Sequence, residues 1–222
     1  MSVLGPLLFL SLVLVLVLSA PGTSAQKPKP CEVPGMMSGD FTLMNDNQFY
    51  MSTGKMSYDV FNQRMSLSSF DNATVSGMIM LFKEKVYYEI SWSEGTCKKR
   101  PLDATFNPVQ VPPGAHLMAQ LFMGSSSSWG MGVLVNTWFG LLPQGMYTHV
   151  FTEVGCIPIT FSISNHEGWT ALSTFNWVIG SAQPMDFVPP AFCDAAQLEV
   201  SEKADTFLTA VKSLTKPTTA EN

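Results

Sequence analysis

The stretch that decides the fold is residues 76–99, SGMIMLFKEKVYYEISWSEGTCKK. It begins with an unbroken apolar run from Met78 to Phe82, and after three charged residues apolar and polar side chains alternate as far as Trp92. A period of two is typical of a strand with one buried face. We therefore predict a β-hairpin that turns at residues 83–85 and is fixed near its end by Cys97. The side chains expected to face inward on its second strand are Val86, Tyr88, Ile90 and Trp92.

The same periodicity recurs along most of the chain. It is clearest at residues 157–164, where Ile157, Ile159, Phe161 and Ile163 alternate with polar side chains and with Pro158. We count ten or eleven such segments, most of them joined by short turns. This pattern predicts a mainly β protein built as an antiparallel sandwich or a partly open barrel.

The C-terminal pattern is helical instead. Asp194 followed three residues later by Gln197 fits a helix N-cap box. Apolar residues then recur at steps of four and three on one stripe: Val200, Ala204, Phe207, Val211 and Leu214. The pattern predicts a helix that ends before Pro217 and packs on the sheet, or alternatively seeks a partner.

The N-terminal pattern is typical of a secretory signal peptide. Residues 1–25 carry no charged side chain, and small residues precede a cleavage site after Ala25. The alternative is a membrane anchor, but an apolar run of about twelve residues is shorter than the roughly 20 that a span needs. We therefore divide the chain into a signal peptide (1–25), a β domain (26–200) and a C-terminal helix and tail (201–222). We expect the mature protein to be exported, with no transmembrane segment.

The composition and charge of the chain limit the kinds of partner it can bind. The chain has 222 residues, of which 46% are hydrophobic and 13% are charged, and its net charge is −5. Its longest basic run is residues 98–100. Nucleic acid is therefore excluded as a partner, because phosphate binding needs a basic face.

The four cysteines are isolated from one another, without the close pairs of zinc or redox sites. In an exported chain they predict two disulfides, for which the sequence allows three connectivities. Asn72-Ala73-Thr74 is a glycosylation sequon in a polar link between two strands, so we predict a glycan on Asn72.

Catalytic patterns are missing from the sequence. The serine run after Gly124 lacks the second glycine of a nucleophile elbow, and His116, His149 and His166 lack the spacing of a zinc protease. No glycine-rich phosphate loop follows a strand. We therefore predict that the protein is not an enzyme.

Three segments carry a resemblance to a known family. They are the hairpin described above, the segment Ser57-Tyr58-Asp59 with Asn62-Gln63-Arg64, and Val188-Pro189-Pro190 closed by Cys193. In this order, from about Cys31 to Val200, the chain resembles the ependymin family of secreted proteins.

This resemblance implies two curved antiparallel sheets around a deep hydrophobic pocket, similar to bacterial lipoprotein carriers. It also implies the pairs Cys31–Cys156 and Cys97–Cys193, a homodimer and calcium binding. The sequence contains no EF-hand calcium loop, so we leave the metal ligands unassigned.

Our leading hypothesis is a secreted glycoprotein that binds hydrophobic or amphipathic molecules such as lipids and fatty acids. Methionine is flexible and polarizable, and it suits surfaces that accept varied apolar shapes. The residues expected to line the pocket are Met78, Met80, Phe82, Tyr88, Ile90, Trp92, Phe161 and Ile163. The main alternative is an adhesion glycoprotein that contacts the extracellular matrix without a small ligand. A lipocalin-like barrel is the third hypothesis, but no G-x-W motif lies near the first strand. The destination, extracellular fluid or lysosome, stays open.

Overall fold

The structure is a computed structural model that describes residues 27–46, 50–71, 74–106, 109–166, 168–199, 205 and 207–213. Several sequence-based predictions therefore lie outside the described residues. They concern the signal peptide at 1–25, the glycan on Asn72, and the positions Val200, Ala204 and Leu214 of the predicted helical stripe.

The described residues form eleven strands, two short 3-10 turns and one helix. The strands are β1 (Met36–Asn45), β2 (Tyr50–Asp59), β3 (Arg64–Asp71), β4 (Thr74–Leu81), β5 (Val86–Ser91), β6 (Thr96–Pro101), β7 (His116–Gly124), β8 (Gly132–Leu142), β9 (Gly145–Thr152), β10 (Pro158–Asn165) and β11 (Gly168–Ile179). The 3-10 turns are Pro184–Phe187 and Ala191–Cys193, and the helix α1 is Phe207–Ser213. Within these residues, no helix has the length and apolar character needed to cross a membrane.

All eleven strands belong to one antiparallel sheet, in the order β6-β5-β4-β3-β2-β1-β11-β10-β9-β8-β7. Two meanders, β1 to β6 and β7 to β11, are joined where β1 pairs with β11, from Met37 opposite Ile179 to Asn45 opposite Thr170. The predicted mainly β, antiparallel, partly open fold is confirmed. The strands form one continuous sheet rather than two, because this pairing links the meanders and leaves β6 and β7 as edges.

The sheet is strongly curved. Met65 of β3 and His149 of β9 line the same small cavity, although five strand steps separate these two strands in the sheet order. Neighbouring strands lie about 4.8 Å apart, so five steps would span about 24 Å in a flat sheet. The sheet therefore curls until its two halves meet, and we call its concave side the interior face.

The interior face carries the main hydrophobic core. Its fully buried side chains come from both meanders: Met37, Phe41, Leu43, Met56, Tyr58, Met65, Leu67, Met78, Met80, Tyr87 and Phe151. No second sheet covers this core within the described residues. It is covered instead by α1, through Ala210 and Val211, and by the segment between β6 and β7, through Leu102, Val109 and Val111.

The outer face of the β4–β5 hairpin is also covered, and this reverses the predicted orientation of β5. Tyr87 lies in the interior core, whereas Ile90 and Tyr88 pack with Ile79 and Cys193 in a second cluster on the outer face. The chain that follows β11 lies over that face, and the disulfide Cys97–Cys193 fixes it there. The apolar side chains that alternate along β5 are therefore buried on the outer face of the sheet and not on the interior face.

Two disulfides join distant parts of the chain. Cys31 is bonded to Cys156, and Cys97 is bonded to Cys193, with separations of 125 and 96 residues. This is the pairing that the family resemblance implies.

The prediction that a helix begins at Asp194 is wrong. Residues 194–199 are not helical, and Leu198 forms a parallel bridge with Lys99 of β6. The backbone N–H of Glu199 donates to the carbonyl of Lys99. The disulfide at Cys193 and these bonds hold the segment along the β6 edge, so the described helix is confined to α1.

Candidate ligand-binding site

The interior face and α1 enclose two small apolar cavities. One is lined by Leu43, Ile163 and Val211 among others, and the second by Met56, Met65 and Val109 among others. Each has a volume of about 20 Å³. Phe161, Leu172 and Phe207 line both of them. A space of this size holds about one water molecule, and Phe207 and Val211 of α1 form part of the lining.

Three polar atoms inside the core have no hydrogen-bond partner among the described residues. They are the hydroxyl of Tyr58, the indole nitrogen of Trp138 and Nδ1 of His149. The side chains are buried, with exposed fractions of 0%, 3% and 2%. An unpaired buried polar group costs about 1–3 kcal/mol. Of the three side chains, His149 lines one of the two cavities.

Trp138 and His149 are neighbours on the interior face of the sheet. They are opposite each other in the β8–β9 pairing, which places their Cβ atoms about 5 Å apart. The ring of His149 also packs against Phe151 and Phe161, at centroid distances of 4.1 and 5.2 Å. Burial lowers the pKa of His149 to about 3. The imidazole is therefore neutral at physiological pH and offers one donor and one acceptor nitrogen.

A polar clasp holds the chain just before α1. The hydroxyl of Tyr87 donates to the carboxylate of Asp205 at 2.7 Å and lies 3.3 Å from a carboxylate oxygen of Glu89. Burial, together with these carboxylates, raises the pKa of Tyr87. The backbone N–H of Asp205 donates to Pro101 on β6. The clasp fixes the point at which the C-terminal segment passes from the sheet edge to the interior.

A larger groove lies on the outer face of β1 to β5, with a volume of about 660 Å³. Its floor is rich in serine and also carries Asp40 and Lys55. The 3-10 turn Pro184–Phe187 forms one wall, and Ser57 donates to the carboxylate of Asp186 across it at 2.6 Å. The lining also includes apolar side chains, among them Ile79, Ile90 and Trp92, so the groove combines polar and apolar surface and is more open than the interior.

The structure divides the eight predicted ligand-lining residues between the two faces. Met78, Met80 and Phe82 lie in the interior core, and Phe161 and Ile163 line the interior cavities. The other three do not join them. Tyr88 and Ile90 belong to the outer cluster, and Ile90 and Trp92 line the outer groove.

The model of one protein family, described as Ependymin, matches residues 71–193 of this sequence. The chain belongs to the ependymin family. It is 30% identical to Ependymin-2 of Salmo salar over 185 residues, a match that covers 79% of this chain and 83% of that protein. It is 28% identical to Mammalian ependymin-related protein 1 of Mus musculus, covering 78% and 80% of the two chains.

A solved structure shares the fold at much lower identity. An uncharacterized conserved protein from Thermus thermophilus is 8% identical, with a TM-score of 0.52 and coverage of 74% of this ependymin and 90% of that chain. This similarity concerns the fold alone.

The ependymin segment that begins at Ser57 has a structural role here. The buried carboxylate of Asp59 accepts hydrogen bonds from the backbone and side-chain nitrogens of Asn62, at 3.1 and 2.8 Å, and from Nε of Arg64, at 2.9 Å. Burial alone would raise the pKa of Asp59, but these bonds hold it below its usual value. The guanidinium of Arg64 also lies 4.3 Å from the ring centre of Phe187. The segment therefore locks the β2–β3 turn to the chain on the outer face.

Calcium binding stays a prediction from the family resemblance. Within the ranges that the structure describes, no three His, Cys, Asp or Glu side chains come close enough to hold a metal ion. Asp46, which directly follows β1, instead accepts a bond from the backbone N–H of Trp169 at 2.7 Å. The described residues therefore do not provide a fitting ligand set.

Sequence reasoning missed the polar part of the site. The sequence presents His149 only as a histidine without catalytic spacing, and no motif indicates Tyr58 or Trp138 as site residues. The alternation of Tyr147, His149 and Phe151 along β9 was the signal that could have placed His149 on a buried face. No local pattern indicates that Trp138 stands opposite it, because that contact depends on the register of β8 and β9.

Proposed function

We propose that this ependymin is a secreted carrier, not an enzyme, that binds one hydrophobic or amphipathic molecule such as a fatty acid or lipid. The guest occupies the interior of the curved sheet. The observation that carries the proposal is the way in which the interior is closed. A single curved sheet forms the walls, and a helix of seven residues, Phe207–Ser213, occupies the space that a guest needs.

The packing of α1 supports displacement by a guest. Helical stability in proteins comes mostly from the packing of an apolar face, and the described part of α1 packs against the core through Phe207, Ala210 and Val211. Releasing α1 exposes these few side chains, whereas opening the sheet would break strand pairing. An apolar guest that takes their place buries its own surface against the same wall, which offsets the cost of their exposure.

The buried methionines support a guest of variable shape. Met56, Met65, Met78 and Met80 are at most 2% exposed and lie on the interior face. Their side chains can change rotamer without a large loss of packing. The interior can therefore adapt to acyl chains of different length.

The unpaired polar atoms favour an amphipathic guest over a plain hydrocarbon. A carbonyl or carboxyl oxygen near the Trp138–His149 pair can accept a bond from the indole N–H. It can accept a second bond from the imidazole if Nδ1 carries the proton. Such a group removes the cost of burying these atoms alone.

Binding of a fluorescent fatty acid to secreted, disulfide-bonded protein that has been stripped of lipid tests the proposal. We expect saturable binding with one site per chain, and competition by unlabelled oleate. Mass spectrometry of the protein before stripping should find copurified amphipaths. If binding does not saturate and no lipid copurifies, the adhesion glycoprotein that contacts the matrix is the better interpretation.

The His149→Phe variant tests the polar part of the site. It keeps an aromatic ring on the wall and removes the hydrogen-bonding nitrogens. We expect weaker binding of the fatty acid and unchanged binding of an uncharged hydrocarbon probe. Equal loss of both probes would show that the histidine only supports packing.

Family membership and the two disulfides support secretion to an oxidising compartment. The proposal extends to cleavage after Ala25, a glycan on Asn72, calcium binding and a homodimer. N-terminal sequencing, the mass of an Asn72→Gln variant, calcium titration and light scattering test these four points separately.

A further inference from the structure

The tip of the β7–β8 hairpin, residues 121–133, exposes an unusual amount of apolar surface. Phe122, Trp129 and Met131 are 52%, 102% and 61% exposed. The exposed apolar side chains of this tip are Leu121, Phe122, Met123, Trp129, Met131 and Val133. Isolated exposed apolar residues are common on proteins, but a continuous group of this kind indicates an interaction site.

The tip is apolar on both faces of the hairpin. Phe122 and Met123 are consecutive in β7, so their side chains point to opposite faces, and both are about half exposed. Met123 lies opposite Val133 of β8, which is also exposed. Trp129 extends beyond both strands in the connecting loop. A partner that covers one face would therefore leave the other face in water.

The tip also lacks charge. No Asp, Glu, Lys or Arg occurs between Asp103 and Glu153. The carboxylate of Glu153 accepts hydrogen bonds from the side-chain amides of Gln120 and Asn136. Val154, which follows it in the neighbouring β9–β10 turn, is 85% exposed. The apolar surface therefore continues onto the next turn at Val154, and the one charged side chain beside it, Glu153, is bonded to these two amides.

These features favour a lipid environment over a folded protein as the partner of the tip. A second copy paired along the β7 edge would cover the strand backbone, but its contact would not enclose Trp129 and both faces of the tip. Acyl chains and headgroups enclose a protruding tip from all sides. Tryptophan in particular favours the headgroup level of a bilayer, where an apolar ring and a polar N–H are both accommodated.

We propose that residues 121–133 insert into the interfacial layer of a zwitterionic phospholipid bilayer and hold the protein at a membrane surface. The contact is apolar, and the protein has a net charge of −5. Anionic lipid therefore adds no attraction, and salt screening does not release the protein. The inference rests on the hairpin tip alone and does not require a guest in the interior.

Flotation of the full, secreted protein with phosphatidylcholine vesicles tests the inference. The variant Trp129→Ser/Met131→Ser removes two exposed side chains from the tip without changing a buried position. The matched control is Leu141→Ser/Met146→Ser, whose side chains are 83% and 49% exposed and pair with each other at the β8–β9 turn, at the opposite end of β8. We expect the tip variant to partition into vesicles about tenfold more weakly or worse, and the control to match the wild type.

Two further readouts accompany flotation. The chain has five tryptophans, so the signal of Trp129 is the difference in emission between the wild type and the tip variant. This difference should shift to shorter wavelength on vesicles and be quenched by lipids brominated near the headgroup. Binding should be the same at low and high salt and should not rise when anionic lipid is added.

Any of three results overturns the inference. They are no flotation of the wild type, equal binding by the wild type and the tip variant, and equal weakening of the control. A tip variant that loses dimer mass in light scattering, while the wild type ignores vesicles, would assign the tip to an interface between copies instead.

Discussion

Replacing Phe207 by alanine tests the idea that α1 competes with a guest for the interior. Phe207 is partly buried against the core and is shared by both cavities. It lies at the start of α1, far from the strand pairings. The substitution therefore enlarges the space next to the sheet and weakens the packing of the helix, while the sheet itself is unchanged.

The size of the effect follows from burial. Removing a fully buried phenylalanine costs about 3–5 kcal/mol, and for a partly buried one on a short terminal helix we expect about 1–2 kcal/mol. If α1 must leave before a guest binds, the open form is a minor state, and the apparent affinity is reduced by its population. A loss of about 1–2 kcal/mol in helix packing raises that population about 5- to 30-fold. The apparent Kd of a fatty-acid probe should fall by the same factor.

The assay is equilibrium titration of a fluorescent fatty acid into lipid-free protein, with hydrogen exchange of the α1 amides as a measure of helix opening. Phe192→Ala is the matched control. Phe192 packs edge-on against Trp92 on the outer face, with ring centres 5.8 Å apart. It makes no contribution to either interior cavity. Its removal should lower stability slightly and leave the probe affinity unchanged.

An unchanged or weaker affinity of Phe207→Ala, together with faster exchange of the α1 amides, would refute the competition. The helix would then be part of the wall around the guest and not its competitor. Absence of saturable binding in both wild type and variant would be a different result, since it rejects the carrier function itself.

Two further predictions concern buried ionisable groups. Because the pKa of His149 is about 3 in the fold and near 6.5 in the unfolded chain, the stability present above about pH 6.5 is lost as the pH falls toward 3. The free energies of unfolding measured by denaturant melts at pH 7 and pH 5 should therefore differ by about 2 kcal/mol because of this group. The His149→Phe variant should remove that difference, whereas the control His166→Gln, in an exposed turn, should keep it. Arg64→Met should lower the free energy of unfolding by about 2–3 kcal/mol in thermal melts, because it removes the cationic partner of the buried Asp59 carboxylate. A double variant with Asp59→Asn should cost less than the sum of the two single changes, and additive losses would contradict the proposed pairing.

Much of the sheet could be predicted from the sequence, because strands of this chain alternate apolar and polar residues and end at short turns. The hairpin of β4 and β5 turns at residues 82–85, within one residue of its predicted position. Local sequence does not contain the pairing of β1 with β11, since more than a hundred residues separate them. That pairing decides between one sheet and two.

The candidate site could be predicted only in part from the sequence, and β5 shows why. A period of two shows that alternate side chains lie on opposite faces of the strand, but it does not show which face points to the interior. On β5 the chain after β11 buries Ile90 from outside, and the interior buries Tyr87. Either face alone would produce an apolar side. Only the position of the covering segment distinguishes them.

The C-terminal segment links these observations. After β11 it lies over the outer face, is bonded through Cys193 to Cys97 on β6, and reaches the interior only after the clasp at Asp205. The disulfide therefore separates two parts of this segment. The disulfide fixes the part before Cys193 on the outer face, whereas α1, beyond the clasp, packs on the interior core through Phe207, Ala210 and Val211. If the interior takes a guest as proposed, displacement of α1 leaves the outer cluster covered, and opening the interior requires only a local change at the β6 edge.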